Sequence, residues 1–95
     1  MSKDDLKEIF LEYLTEVKLL PLSENVKMEA GFLARYYHAH LALEKLSLGE
    51  LAVLFEQYLS NFLGFRLTQK IRNEARVLAH FIDEKMGAKC LTYSQ

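Results

Sequence analysis

Apolar residues recur along this chain at intervals of three and four, with polar residues between them. From residue 3 to residue 20 the apolar positions are Leu6, Ile9, Phe10, Tyr13, Leu14, Val17 and Leu20, while Lys7, Glu8, Glu12, Glu16 and Lys18 fall on the other side. That spacing is the signature of an amphipathic helix. Ser2 is placed to cap it, with Asp4 and Asp5 in the first turn, where acids suit the positive helix end. Pro21 ends it, since proline has no N–H to donate and disfavours helix in the residue before it.

A second helix is predicted over 24–45, capped by Ser23. Val26, Ala30, Leu33, Tyr37 and Leu41 form one apolar stripe, and Met28, Phe32, Tyr36, Ala39 and Leu43 form another beside it. Together they cover roughly 200° of the circumference, against the ~100° stripe of an ordinary surface helix. Gly31, Ala34, His38 and Ala42 fall on the polar side. Ser47 and Glu50 have capping-box spacing, which ends this helix near Lys45 and starts a third over 48–63. The third carries Leu48, Leu51, Ala52, Leu54, Phe55, Tyr58, Leu59, Phe62 and Leu63 on one broad face, with Val53 off it. Gly64 is placed as the left-handed residue that closes it. Thr68 caps a fourth helix over 68–87, whose inner stripe is Ile71, Ala75, Leu78, Ile82 and Met86. Gly87 is its expected stop, and residues 88–95 read as a short irregular tail. No internal repeat is evident in this pattern.

Four helices with short connections predict an all-α single domain spanning 1–95. The expected arrangement is an antiparallel four-helix bundle with helices at 3–20, 24–45, 48–63 and 68–87. A homodimer that completes its core across two chains is the second arrangement.

Composition narrows the function classes. Hydrophobic residues make up 51% of the chain, charged residues 26%, and the net charge is −1. That is a soluble globular profile with no global attraction for nucleic acid or membrane. No apolar run approaches the ~18 residues of a membrane span. The N-terminal acids are unlike a signal peptide. The lone Cys90 excludes an intramolecular disulfide and fits a reducing, cytoplasmic setting.

Chemistry-bearing residues are sparse. His40 with Glu44, and His80 with Glu84, each have one-turn spacing. A di-metal carboxylate bundle needs about four inward glutamates, with glutamate three residues before histidine, and this chain lacks that order. His40 is expected to be a hydrogen-bonded core residue, and His80 to face water. There is no nucleophile elbow, phosphate-cradling glycine loop or zinc signature, so no catalytic residue, cofactor or metal is expected.

The clearest charge feature lies between Gly64 and Val77, where Arg66, Lys70, Arg72 and Arg76 stand against Glu74 alone. Arg72, Arg76 and His80 are each four apart and share one helix face, a row able to track phosphates. Arg72-Asn73 followed by His80 also resembles the signature of the HEPN ribonucleases, small helical proteins that are often dimeric. Seven residues separate Arg72 from His80 here, and three separate Arg76 from His80, where that family has four to six. The resemblance implies that His80 with Arg72 or Arg76 would act on a scissile phosphate. In size and four-helix layout the chain is similar to bacteriocin-type immunity proteins, without a shared motif.

The surplus of apolar surface carries the main functional expectation. The second stripe of helix two exceeds what one small bundle hides, and contiguous exposed apolar patches mark interfaces. The chain is therefore expected to be a non-enzymatic protein-binding module that meets another protein or a second copy of itself. Met28, Phe32, Ala39, Leu43 and Phe65 are the candidate interface residues. The alternative is nucleic-acid binding through Arg66, Lys70, Arg72 and Arg76, with the ribonuclease third.

Overall fold

Each helix begins where a short hydroxyl side chain offers the first turn an acceptor. The Asp5 N–H donates to Ser2 Oγ (3.1 Å), Val26 N–H to Ser23 Oγ (3.3 Å), and Ile71 N–H to Thr68 Oγ1 (3.3 Å). At Ser47 the capping box is complete. The Glu50 N–H donates to Ser47 Oγ (3.2 Å) and the Ser47 N–H to Glu50 Oε1 (3.1 Å). Side-chain acceptors satisfy backbone donors that a helix start leaves without an intrahelical partner.

The computed structural model describes residues 2–39 and 46–93, with side chains described as far as Gly87. His40, Leu43 and Glu44 lie outside the described residues. Helix α1 (Lys3–Glu12) runs into a π-helical turn (Tyr13–Val17), and is followed by α2 (Glu24–His38), α3 (Leu48–Phe62) and α4 (Gln69–Tyr93). The fold is all-α, with no strand among the described residues. No described helix is long and apolar enough to cross a membrane.

Helix ends depart from the sequence expectation more than helix starts do. The first helix widens before it stops: Lys18 N–H reaches back five residues to the Tyr13 carbonyl (3.1 Å). Within this stretch the Thr15 hydroxyl donates to the Leu11 carbonyl (2.9 Å), a side-chain bond that competes with the regular ladder. Helix α4 does not stop at Gly87 but continues to Tyr93, so the stretch read as an irregular tail is helical through that residue. A helical glycine costs about 1 kcal/mol, and nothing in Ala88-Lys89-Cys90-Leu91 breaks a helix after it.

Packing divides the chain into two compact units, one holding α1 and α2, the other α3 and α4. Each is a helical hairpin. In the first, Leu6, Ile9, Phe10, Tyr13 and Leu14 of the α1 segment are buried, as are Val26, Ala30, Leu33, Ala34 and Tyr37 of α2. The rings of Phe10 and Tyr37 lie 4.9 Å apart. Long helical side chains lean toward their own N-terminus. In an antiparallel pair the two side chains therefore lean in opposite directions, and here their rings meet at a tilt of 58°. Ala34, expected on the polar side, is core: a pair of alanines one turn apart on α2 lets α1 approach closely.

The second hairpin repeats the caps, core and closing turn of the first at an offset of 45. Ser2 corresponds to Ser47 and Ser23 to Thr68, all of them caps. Leu6, Phe10, Tyr13, Ala30, Leu33 and Ala34 correspond to Leu51, Phe55, Tyr58, Ala75, Leu78 and Ala79, identical and buried in both places. The closing turns match as well. Leu19 and Gly64 both take positive φ (57° and 71°), and the next N–H returns to a carbonyl six residues back, Leu20 to Leu14 and Phe65 to Leu59, each at 3.0 Å. That closure is one residue wider than the usual Schellman turn. The chain is thus an internally repeated helical hairpin, contrary to the expectation of no repeat. The match is hard to see in the sequence because it is confined to caps, core and turn, while the solvent-facing positions between them differ.

Candidate functional site

Small residues on the inner edges of α3 and α4 leave a groove on the second hairpin. Its floor is formed by Ala52 and Ala79, both buried, with Gly49 beside them. Leu48 and Val53 form an apolar rim on the α3 side. Arg72, Arg76 and His80 stand along the α4 side, one turn apart, and Glu56 completes the lining. The groove encloses about 400 Å³, within the range of small-molecule sites.

The antiparallel course of the two helices sets which residues face each other. Glu56, in the second half of α3, meets Arg72, in the first turn of α4, whose Nε is 4.0 Å from Glu56 Oε1. Gly49 lies at the far end, opposite Ala79 and His80. The Glu56 side chain is 20% exposed and that of Arg72 56%, so the pair is partly open to water. At 4.0 Å it is an ion pair rather than a hydrogen bond. Arg76 and His80 are exposed.

The sequence-predicted basic row is therefore divided. Arg72, Arg76 and His80 share the groove, whereas Arg66 and Lys70 are exposed residues outside its lining. What the sequence reading missed is the opposite wall. Spacing alone puts Ala52 on the inner face of the third helix and Val53 off it, and gives Gly49 and Glu56 no functional role. Their signal was the set of small residues at 49 and 52, which gains meaning only once Ala79 is placed across from them.

The apolar candidates sit elsewhere. Met28 (56% exposed) and Phe32 (48% exposed) lie one turn apart on α2 and are open to solvent. Ala39 is exposed and Tyr36, between them in sequence, is half-buried. Phe65 is exposed in the α3–α4 turn, where Phe62 and Leu63, expected on an inner face, are exposed too. Among the described residues no group of three or more His, Cys, Asp or Glu side chains gathers to hold a metal ion.

The chain matches no family model, no curated protein and no solved structure.

Proposed function

We propose that this chain is a non-enzymatic protein-binding module that presents the Met28–Phe32 face of α2 to a partner, either another protein or a second copy of itself. The observation that carries this reading is the exposure of Phe32 and Met28 on a helix whose other apolar stripe is buried from Val26 through Ala30 and Leu33 to Tyr37. Two large apolar side chains one turn apart, with Tyr36 a further turn on, form the kind of helix face that anchors in a groove on a partner. Large apolar and aromatic side chains supply most of the energy of such contacts.

A photo-crosslinking residue at position 32, compared with one at Lys27, tests the reading. Lys27 lies ~140° round the same helix and is exposed. A discrete adduct from position 32 alone, in the native host, supports it. Sedimentation then separates self-association from capture of a different protein. A protein that sediments as a monomer and yields no discrete adduct from position 32 ends it.

A further inference from the structure

The two hairpins share their core and differ at the groove, and this difference points to a ligand. In the first hairpin α1 contributes Lys7 and α2 contributes Gly31; a side-chain carbon built on Gly31 would lie 3.9 Å from Lys7 Cε. The lysine stem thus covers the seam between the helices. At the corresponding positions the second hairpin has Ala52 and Arg76. The large basic side chain has changed helices, and the alanine left behind uncovers the seam. Glu8 is replaced by Val53 and Leu11 by Glu56, so the uncovered seam has gained an apolar wall and an acid facing Arg72. None of these exchanges alters a residue of the repeated core.

We propose that the α3–α4 groove binds a small phosphate monoester, with Arg72, Arg76 and His80 on the phosphate and the body of the ligand against Ala52 and Val53. Consecutive members of the basic row are separated by about 6 Å of helix rise and the outer two by about 12 Å, so the long Arg72 and Arg76 side chains must reach along the groove to share a phosphate with His80. Guanidinium groups match phosphate oxygens in pairs. Glu56 meets Arg72 only through Nε at 4.0 Å, and a doubly charged ligand competes with that carboxylate better than a singly charged one does. A phosphate monoester near neutral pH carries about −1.5 to −2. The row is also short. Past His80 the next turn of α4 presents Asp83 and Glu84, both exposed, which repel the continuation of an extended polyanion. A compact ligand fits this charge pattern better than a nucleic-acid strand.

Titration of the 95-residue chain with phenyl phosphate, followed by amide NMR shifts, tests the assignment. The expected result is saturable change at Gly49, Ala52 and Ala79. Arg76→Ala should weaken binding about tenfold or more. Ala52→Lys, which restores the covering lysine of the first hairpin, should abolish it. Arg66→Ala, outside the groove, should retain it. Absence of saturation at ~10 mM ligand overturns the proposal. So does undiminished binding by folded Ala52→Lys or by Arg76→Ala. Tighter binding of a single-stranded oligonucleotide, with shifts spreading to Arg66 and Lys70, would overturn the small-ligand assignment in favour of a polyanion.

Discussion

Leu19 and Gly64 occupy the same place in the two hairpins, each in the left-handed region, and each followed by an N–H that closes the turn at 3.0 Å. Only one of them is a residue that adopts this conformation without cost. For an L-residue with a Cβ the left-handed region costs about 1–2 kcal/mol. Leu19 is 78% exposed, so little packing compensates for that cost.

Leu19→Gly should therefore stabilise the protein. Part of the relief is offset by the extra freedom of glycine in the unfolded chain, leaving a net gain of about 0.5–1 kcal/mol. Gly64→Ala should have the opposite sign and cost about 1 kcal/mol, although nothing lies within 4 Å of the added carbon. Urea unfolding of both variants reads the two signs directly, and a stabilising Gly64→Ala would contradict the matched-turn account.

Gly31 gives a control in which the same chemistry should behave differently. It lies within α2 with helical geometry, and an added carbon meets only the Lys7 stem at 3.9 Å, an ordinary contact. Gly31→Ala should stabilise by about 0.5–1 kcal/mol through helix propensity. Thermal unfolding should show a rise of a few degrees.

The Ser47 box joins the start of α3 to its first turn through two reciprocal hydrogen bonds. Ser47→Ala removes the acceptor for the Glu50 N–H, and should cost about 1 kcal/mol. The loss should appear in the urea midpoint with an unchanged slope, because the folded surface stays the same.

Tyr37 makes stability depend on alkaline pH. It is wholly buried, and burial first, then the neighbouring Tyr36 and Tyr13, raises its hydroxyl well above the ordinary value of 10.0. The folded state therefore keeps this proton at a pH where the unfolded state has released it. The stabilisation is complete below about pH 10 and declines as pH rises past it. Between pH 9 and 11, roughly, the wild type should lose stability more steeply than Tyr37→Phe. Parallel profiles would show that Tyr37 does not carry the dependence. Tyr37→Ala should cost about 3–5 kcal/mol at neutral pH, since it empties the space beside Phe10.

Helix starts were legible because a cap is a local device. Ser2, Ser23, Ser47 and Thr68 each act on a backbone group three residues away, and nothing distant alters that geometry. Gly64 was legible for the same reason. The end of the first helix was not, because no residue type announces a widened turn, and Leu19 is an unfavourable left-handed residue that the closed turn holds in place. Gly87 misled in the other direction: a stop signal has force only where the following residues also disfavour helix.

The all-α class, the four caps and most of the core stripes followed from periodicity and capping chemistry in the sequence itself. Which polar positions would meet was a question of tertiary structure. Ala34 moved from the polar side to the core because the small side chains of α2 admit α1. Arg72, Arg76 and His80 were a row on one helix by spacing alone, but Glu56 and Val53 come opposite them only when α3 and α4 pair. Side chains on one helix obey a fixed period, whereas facing residues depend on the register between two helices, and the closing turn at Gly64 sets that register.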